Sequence, residues 1–244
     1  MIEVRNVFKS FGANQVLKGV SLDVHNGSTR VILGLSGSGK SVLMKHIIGL
    51  MRPDSGEILV DDEDITKKSH PEILKMRRKF GMVFQDAALF DSMTVFDNVA
   101  FPLVEHTDFS EHEIAERVHD RLELLNLMPA KDRFPSQISG GMRKRVGLAR
   151  AVILDPQYIL YDEPTTGLDP IMTDSVDEMI KDAAVRLNVT SLVISHDIGS
   201  ALNIADDIAV IHQGEIIEDC KPGEIRSSKH PFVRQFLDSW FGKQ

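Results

Sequence analysis

The residues with the clearest chemical meaning form a glycine-rich loop, Gly34-Leu35-Ser36-Gly37-Ser38-Gly39-Lys40-Ser41, which matches the pattern G-x-x-x-x-G-K-[ST]. Glycines let the backbone curl so that several N–H groups point at one anion, and a helix beginning near Gly39 adds its positive N-terminal end. Lys40 can supply a cation to the β- and γ-phosphates of a nucleotide, and the Ser41 hydroxyl can bind Mg²⁺. The loop therefore predicts a nucleoside triphosphate site rather than a merely flexible connection.

Two further polar groups follow strands of the buried type. The apolar run Tyr158–Tyr161 ends in Asp162, which could orient Mg²⁺ and its waters, and in Glu163, which could act as a general base toward an attacking water. His196 follows the predicted strand Ser191–Ile194. Ligands of open parallel sheets sit beyond the carboxyl ends of the strands, so His196 is predicted near the γ-phosphate as a polariser or sensor. Acid pairs at strand ends are common and a single histidine is more often structural; the glycine-rich loop gives these groups their significance.

A second segment of the anion-binding type lies much later in the chain. Ser139-Gly140-Gly141-Met142 opens a helix predicted over Gly140–Leu154. Serine is a good N-cap, the glycines leave backbone N–H groups uncovered, and the helix directs its positive end outward. Packing alone gives little reason for such a helix start, so we interpret it as a second phosphate contact.

The hydrophobic pattern predicts the elements that position these segments. The first third is β-rich, with strands at Ile2–Val7, Val16–Val24 and Arg30–Leu33 ahead of the glycine-rich loop and a helix over Lys40–Leu50 after it. Residues 86–156 have a helical pattern, and the last third alternates strands with helices and includes a hairpin around His212-Gln213-Gly214. This alternation predicts a mostly parallel sheet with helices on its faces. The helical middle is best explained as an insertion at the edge of that sheet.

Two remaining features concern the surface. An amphipathic helix predicted over Pro231–Phe241 carries the only tryptophan, Trp240, and is more apolar than a free tail. We expect this helix to pack either on its own domain or on a partner subunit. The basic clusters Lys67-Lys68 and Arg77-Arg78-Lys79 lack interleaved aromatic residues, so we interpret them as solvated faces rather than nucleic-acid contacts.

The composition narrows the class of protein. The chain has 244 residues, 42% hydrophobic and 26% charged, which excludes collagen-like, disordered and disulfide-scaffold proteins. Its 28 Lys and Arg against 36 Asp and Glu give a net charge of −8, which disfavours nucleic acid as the main ligand. The single cysteine, Cys220, fits a reducing compartment, and the N-terminus lacks a signal-peptide pattern. No apolar run approaches the roughly 18–20 residues that span a bilayer, so we expect a cytosolic-type protein.

The order of these motifs, with Ile138–Ala151 as the most specific of them, resembles that of the ATP-binding cassette (ABC) ATPases, whose signature is usually spelled LSGGQ. The resemblance covers nearly the whole chain. It implies an α/β fold of the P-loop NTPase type, with a RecA-like core, an N-terminal antiparallel β-subdomain and an inserted helical subdomain. The core and β-subdomain would comprise residues 1–86 and 157–228, the helical signature subdomain residues 87–156, and a C-terminal helix residues 229–244.

The resemblance also implies roles for individual residues. Phe11 would stack on adenine beside Val16, and Gln85 would contact Mg²⁺ or the nucleophilic water. The implied ATP contacts are Phe11, Val16, Gly34, Leu35, Ser36, Gly37, Ser38, Gly39, Lys40, Ser41 and Val42. The implied Mg²⁺ contacts are Ser41, Gln85 and Asp162, and the implied catalytic residues are Glu163, His196 and Gln85. The signature comprises Ser139, Gly140, Gly141 and Met142, and the D-loop aspartate is Asp169. Two departures, Met142 for the usual glutamine and Val42 for a second Ser or Thr, leave the backbone donors and the metal-ligand position intact.

The resemblance further implies an assembly. Two copies would form a homodimer through the ATP sites, with each ATP between the glycine-rich (Walker A) loop of one chain and the signature of the other. ATP would close this dimer, and hydrolysis would reopen it. Separate integral membrane permease subunits would make the chain a peripheral protein at the cytoplasmic face of the inner (plasma) membrane. We expect Arg143, Lys144 and Arg145, on the signature helix, to serve the dimer interface and local acidic residues, and we expect no nucleic-acid partner.

Three segments indicate a branch of the family. The runs are QDAALFDSMTVFDNV, SGGMRKRVGLARA and GSGKSVLMKHIIGL. They resemble the ATPases paired with Mce-domain proteins, the Mla-type group that moves phospholipids or other lipids across the bacterial envelope, and Met142 is shared with that group. The implied partners then include an Mce-domain substrate-binding protein and a small regulatory subunit. In ABC ATPases the first run also lines the groove that receives a coupling helix of the permease.

Other functions stay open from the sequence alone. An amino-acid or methionine importer is the nearest alternative, although signatures in those importers normally keep glutamine. DNA-repair ABC ATPases carry coiled coils or zinc-binding cysteine pairs between the positions of Ser41 and Ser139, and this chain has neither heptads nor cysteine in that interval. Ribosome-associated ABC factors normally have two cassettes in one chain, which disfavours that class. The presence of Glu163 and His196 disfavours a regulator that binds nucleotide without hydrolysing it.

Overall fold

The computed structural model describes residues 1–242, so the last two positions of the predicted C-terminal segment, Lys243 and Gln244, lie outside the described residues. The strands are β1 (Ile2–Phe11), β2 (Asn14–Val24), β3 (Thr29–Leu33), β4 (Ser55–Val60), β5 (Glu63–Asp64), β6 (Phe80–Val83), β7 (Tyr158–Asp162), β8 (Thr190–Ser195), β9 (Asp207–His212) and β10 (Glu215–Cys220). The helices are α1 (Lys40–Ile47), α2 (His70–Arg77), α3 (Val95–His106), α4 (Glu111–Leu124), α5 (Gly140–Val152), α6 (Pro170–Leu187), α7 (Ile198–Ile204) and α8 (Pro231–Phe241).

The strands form two sheets, as the sequence predicts. The first is antiparallel, in the order β2-β1-β4-β5, and the second has the order β10-β9-β3-β8-β7-β6. In the second sheet β9, β3, β8, β7 and β6 run parallel, and only β10 is antiparallel to its neighbour. The predicted hairpin joins β9 to β10, with Gln213 (φ 49°) and Gly214 (φ 86°) in the left-handed region that tight hairpin turns use. The α/β fold class, with its antiparallel β-subdomain, is therefore confirmed.

Local sequence signals explain several helix ends. Ser110 and Glu113 form a capping box at the start of α4: the Ser110 hydroxyl accepts a hydrogen bond from the Glu113 amide, and the Glu113 carboxylate accepts one from the Ser110 amide. The helix predicted over 40–50 ends at Ile47 because Gly49 adopts a left-handed φ of 65°. Sequence reasoning missed α2, although Ser69 and Glu72 form a capping box at its start.

Apolar packing divides the chain into three clusters. One cluster lies between the first sheet and α1, and a second fills the space between the parallel sheet and the helices α6, α7 and α8. The third is contained within α3, α4 and α5 and the turns between them, around Val99, Leu122 and Val146. The helices within residues 87–156 therefore share an apolar cluster of their own, while the subdomain boundaries stay a prediction.

The terminal helix α8 packs on its own domain. Val233 is fully buried, and the Phe232 ring stacks on His212 at a centroid distance of 3.7 Å. The indole of Trp240 lies so close to Gly199 that a Cβ added there would be 2.4 Å from Cζ2. These contacts decide between the two alternatives that the sequence left open. Within residues 1–242, the helices lack the combination of length and apolar character that a membrane crossing requires.

Candidate active site

The topology of the parallel sheet brings four predicted segments to one edge. Strands β6, β7, β8 and β3 are neighbours in that order and run parallel, so their carboxyl ends lie side by side. Gln85 follows β6, Asp162 ends β7 and Glu163 follows it, His196 follows β8, and the glycine-rich loop follows β3. Residues that are far apart in sequence therefore face one region, where ligands of open α/β sheets bind.

The glycine-rich loop has the geometry of a phosphate cradle. Gly37 (φ 81°) and Gly39 (φ 109°) adopt backbone conformations that disfavour other residues. A Cβ added at Gly34 would lie 2.5 Å from the Ile211 carbonyl oxygen, so a side chain cannot fit there. The Ser38 hydroxyl is buried and has no hydrogen-bond partner among residues 1–242. The loop thus combines close backbone approach with an unsatisfied buried donor, which fits an oxygen-rich anion.

Lys40 places its ammonium group inside this loop. Its side chain is only 5% exposed, and Nζ donates hydrogen bonds to the carbonyl oxygens of Gly34, at 2.7 Å, and Leu35, at 3.2 Å. Nζ also lies 3.1 Å from Oε1 of Glu163. Lys40 therefore links the loop directly to the carboxylate at the end of β7.

Glu163 is held from several sides. Its backbone has a left-handed φ of 51°, which is uncommon for a residue with a side chain. Its Oε2 atom lies 2.5 Å from Nδ1 of His196 and accepts a hydrogen bond from the Thr166 hydroxyl at 3.0 Å. Burial raises the pKa of Glu163, but the hydrogen bond from His196 and the nearby Lys40 charge outweigh it and lower the pKa below its ordinary value. Glu163 is therefore ionised at neutral pH and able to accept a proton.

The predicted Mg²⁺ contacts fit that ion. Burial, followed by the charge of Glu163, raises the pKa of Asp162, and a bound cation would relieve both effects. Ser41 and Gln85 are exposed at the same edge of the sheet. The described part of the chain contains no group of three or more His, Cys, Asp or Glu side chains able to hold a metal ion. One hydroxyl, one amide and one carboxylate suit Mg²⁺, which usually completes its shell with phosphate oxygens and waters.

The predicted adenine contacts lie beside the loop. Val16 is adjacent to it, because a Cβ added at Gly39 would be 3.1 Å from the Val16 carbonyl oxygen. Phe11 ends β1 at the same hairpin and exposes 47% of its surface, which leaves its ring available for stacking. The Val42 side chain instead packs against the first apolar cluster, so only its backbone could contact a phosphate.

The signature segment has the predicted helix start, and its contacts lie within α5 and with α6. Ser139 caps α5 by accepting a hydrogen bond from the Met142 amide at 3.3 Å. A Cβ added at Gly140 would approach only Arg143, at 3.7 Å, whereas one at Gly141 would lie 2.6 Å from Cε of Met172 in α6. Asp169, the predicted D-loop residue, caps α6 by accepting a hydrogen bond from the backbone amide of Met172. Among the described residues, no hydrogen bond or ion pair joins Ser139 to the glycine-rich loop.

The expectation that Lys144 serves the dimer interface and local acidic residues is wrong. Lys144 is buried, and its ammonium donates to the backbone carbonyl oxygens of Gln85 and of Pro164, the latter at 2.9 Å, rather than pairing with acidic side chains. Arg143 donates to the Ile138 carbonyl oxygen at 3.0 Å. Sequence reasoning also missed Arg150, which contacts the segment after Gln85. Lys144, Gly147 and Arg150 recur every three residues and so share one face of α5, but this spacing alone does not indicate that the face is buried.

Comparisons with known proteins place these features in a family. Residues 17–166 match the family model described as ABC transporter. The chain is 44% identical over 237 residues to the probable ribonucleotide transport ATP-binding protein mkl of Mycobacterium leprae, covering 97% of this chain and 68% of that protein. It is 41% identical over 237 residues to the intermembrane phospholipid transport system ATP-binding protein MlaF of Haemophilus influenzae, covering 97% and 90%. It is 40% identical over 249 residues to the methionine import ATP-binding protein MetN of Aliivibrio fischeri, covering 98% and 72%. The chain spans 66% of the mkl proteins of Mycobacterium tuberculosis and Mycobacterium bovis.

Solved structures agree with these relatives. The ATP-binding cassette MJ0796, in a dimeric post-hydrolysis state bound to ADP and Pi, aligns with a TM-score of 0.80 and 32% identity over 91% of this chain and 99% of that one. The cbiO1 protein of Clostridium perfringens, part of the ABC transporter complex cbiONQ, aligns with a TM-score of 0.87 and 30% identity over 97% and 94%. The chain therefore belongs to the ABC transporter family and carries its ATP-binding, ATP-hydrolysing domain.

Proposed function

We propose that the chain powers a membrane transporter by hydrolysing ATP with Glu163 as general base. The observation that carries this proposal is the position of the Glu163 carboxylate, which lies between Nζ of Lys40 at 3.1 Å and Nδ1 of His196 at 2.5 Å. An incoming triphosphate would replace Glu163 and the loop carbonyls as the partners of Lys40, because phosphate is a strong acceptor for a cation. Glu163 would keep His196 and Thr166 as hydrogen-bond donors and would accept the proton of an attacking water.

The other predicted residues would bind and orient the nucleotide. The backbone N–H groups of the loop and the Ser38 hydroxyl would bind the phosphates, and Phe11 would stack on the adenine. Mg²⁺ would be held by Ser41, Asp162 and Gln85, and it supplies charge neutralisation on the phosphate oxygens when bound. Gln85 would also orient the nucleophilic water.

We propose that two copies form the complete site. Ser139, Gly140, Gly141 and Met142 would bind the ATP held by the loop of the partner chain, and Asp169 would lie at the same interface. Among the described residues, Ser139 makes no hydrogen bond or ion pair to the loop of its own chain, which supports this arrangement, and so does the dimeric state named for the similar cassette MJ0796. ATP binding would close the dimer, and hydrolysis would open it.

A groove between the core and the helical subdomain would receive permease subunits. Its volume is about 960 Å³. Most of the residues that line the groove are apolar, and several others are cationic. The lining comprises Pro71, Leu74, Lys75, Arg77, Arg78, Phe80, Gly81, Met82, Phe84, Ala88, Phe90, Phe101, Pro102, His106, Arg150, Ala151 and Leu154. Exposed apolar side chains such as Leu74, Phe84 and Phe90 support a role in binding a partner. Docking there would hold the chain at the cytoplasmic face of the inner membrane.

We propose lipid, and phospholipid in particular, as the cargo. The identity to the phospholipid transport protein MlaF, 41% over 97% of this chain, supports this branch, together with Met142 in the signature. A ribonucleotide transporter is the second candidate, because the mkl relatives are named for that cargo at 44% identity. A methionine importer is the third, at 37% to 40% identity to MetN proteins. In the lipid system the partners would include an Mce-domain protein and a small regulatory subunit.

Capture of partners from detergent-solubilised membranes, followed by mass spectrometry, tests transporter and cargo together. The wild-type chain should retain a permease and an Mce-domain protein. Leu74→Asp places a charge in the groove and should lose both, whereas Val185→Asp, at a residue that is 82% exposed outside the groove, should keep them. A solute-binding protein for amino acids among the partners would replace lipid by amino-acid transport. Equal capture by both variants would show that the groove is not the docking site.

A further inference from the structure

One face of the signature helix α5 contacts residues 85–88, the segment that follows β6. Lys144 donates to the carbonyl oxygen of Gln85, and Arg150 donates to those of Ala87, at 2.8 Å, and Ala88, at 2.9 Å. Between these two cations, a Cβ added at Gly147 would lie 3.0 Å from Cβ of Ala87. Lys144, Gly147 and Arg150 recur every three residues, so one stripe of the helix covers residues 85–88.

Within residues 85–88, two residues have an unfavourable backbone conformation. Ala87 and Ala88 adopt φ values of 59° and 46°, in the left-handed region that residues with a Cβ seldom occupy, and they do so in succession. Their carbonyl oxygens are the ones that receive the two Arg150 hydrogen bonds. Such conformations persist where the surroundings over-determine them, and they cluster at functional sites. The planar fork of a guanidinium suits two neighbouring carbonyl groups, which a lysine could not contact in the same way.

Lys144 extends the same contact into the active site. It is 7% exposed, and its second acceptor is the carbonyl oxygen of Pro164, the residue after Glu163. Glu163 has a left-handed φ, and the turn that it begins is closed by a hydrogen bond from the Thr166 amide. One ammonium group on the signature helix therefore joins the backbone that carries Gln85 to the backbone that carries Glu163.

We propose that Lys144 and Arg150 are positioning residues that lock Gln85 and the Glu163 turn to the signature helix. Arg150 fixes the strained segment 85–88 to α5, and Lys144 connects that unit to the catalytic turn. The orientation of the signature, which serves the partner's ATP, then depends on the placement of the groups that serve the chain's own ATP. The inference rests on the proposed roles of Gln85 and Glu163, and it adds a physical link between the two sites of the dimer.

The main test compares kcat and KM in steady-state hydrolysis of Mg-ATP by the purified full chain. Lys144→Met removes the donors and keeps the apolar stem; we expect kcat to fall by about 10- to 100-fold, since small misplacements of catalytic groups cost that much. The KM for ATP should change less than about two-fold, because Lys144 does not touch the loop that binds the phosphates. Lys144→Arg should recover most of the loss. Lys131→Met, at a surface lysine whose side chain pairs with its neighbour Asp132, is the matched control and should behave as wild type.

Arg150→Lys supplies a second variant that does not depend on Lys144→Met folding. It keeps the charge but cannot bridge both alanine carbonyls, and we expect it to lower kcat by roughly 3- to 30-fold with KM unchanged. A structural role alone would lower the unfolding midpoint and the fraction of active protein but leave kcat per folded chain unchanged; that result would overturn the proposal. Glu163→Gln in the same assay separates the two hypotheses. If Glu163→Gln is inactive and the Lys144 and Arg150 variants are fully active, the site stands and the positioning role fails; if Glu163→Gln is active, the site itself is wrong.

Discussion

The Nδ1 atom of His196 lies 2.5 Å from Oε2 of Glu163, while the other carboxylate oxygen of Glu163 lies 3.1 Å from Nζ of Lys40. These three side chains follow three adjacent parallel strands, so the sheet itself sets their spacing. The two cationic or hydrogen-bond-donating neighbours lower the pKa of Glu163 despite its partial burial. The carboxylate is thus both ionised and oriented, which is what a general base requires.

Glu163→Gln should separate nucleotide binding from hydrolysis. Glutamine keeps the shape of the side chain and a hydrogen-bond acceptor but cannot take a proton, so phosphate release should fall by roughly 10²–10⁴-fold. Binding of a fluorescent ATP analogue should persist, and the ATP-bound dimer should last longer by size-exclusion chromatography. A Glu163→Gln chain that stays monomeric with saturating Mg-ATP would contradict the two-chain site.

Lys40→Ala should abolish productive ATP binding. The ammonium group is the main cation inside the loop, and alanine leaves the triphosphate charge to backbone dipoles alone. The measurement is a titration with a fluorescent ATP analogue. Lys67→Ala is the control, because the Lys67 side chain is 78% exposed and pairs with Asp64 away from the loop. Equal affinity in the Lys40 variant and the control would exclude the loop as the phosphate site.

Ser139→Arg should block hydrolysis by acting on the partner chain. The substitution removes the cap of α5 and places a bulky cation at the uncovered helix start, while the glycine-rich loop of the same chain stays intact. ATP binding to the isolated chain should therefore be nearly unchanged. Mixing Ser139→Arg with Lys40→Ala should restore part of the activity, since one site of the mixed dimer combines an intact loop with an intact signature. Absence of any recovery, with mixed dimers verified, would argue that the signature acts within its own chain.

The sequence predicts the fold and the centre of the site because both rest on local patterns. Strand, glycine-rich loop and helix are contiguous, and parallel pairing then brings Asp162, Glu163 and His196 to the same edge. Element ends were less accurate where a single backbone angle decides them, as Gly49 does for α1. The helix α2 was missed because its eight residues are mostly polar, so periodicity gives little signal despite the capping box at Ser69.

The contacts that Lys144 and Arg150 of α5 make with residues 85–88 could not be predicted from the sequence, for a different reason. Three consecutive basic residues, Arg143, Lys144 and Arg145, look equivalent in sequence, and basic runs are usually solvated. Only the path of residues 85–88 across the helix buries Lys144 and supplies carbonyl acceptors. Burial of a charge depends on this long-range packing, which no local pattern encodes.

Gly199→Ala should destabilise the fold through the terminal helix. A Cβ at Gly199 would lie 2.4 Å from the Trp240 ring, so the indole must shift and α8 must repack. We expect the free energy of unfolding to fall by about 1–3 kcal/mol, as is typical of overpacking in a filled space. Gly223→Ala is the matched control, because a Cβ there meets no atom within 4 Å. Urea unfolding followed by tryptophan fluorescence and circular dichroism measures both; equal stability would show that α8 does not pack as described.

Asp61→Asn should reveal a pH-dependent link between the two sheets. Asp61 follows β4 of the first sheet, and its carboxylate accepts hydrogen bonds from Lys79, at 2.6 Å, and from the Tyr158 hydroxyl, both of which belong to the second sheet or its edge. Partial burial raises the pKa of Asp61, but these hydrogen bonds, together with one from the Met1 ammonium group at 3.1 Å, lower it to about 2, from an ordinary value of 3.8. A depressed folded-state pKa stabilises the protein above pH 3.8, and that stabilisation is lost as the pH falls toward 2.

The expected difference in unfolding free energy between wild type and Asp61→Asn is about 1–2 kcal/mol at pH 7, after allowance for the partial exposure of the carboxylate. It should shrink through pH 4 and 3, because protonation removes the same charge that the substitution removes. Urea titrations at these three pH values measure it. Asp62→Asn changes an exposed neighbour whose side chain makes no hydrogen bond to the described residues, and it should have little effect at any pH. A difference for Asp61→Asn that stays constant from pH 7 to pH 3 would mean that the link does not depend on the ionised carboxylate, and that shape and packing hold the two sheets together at this point.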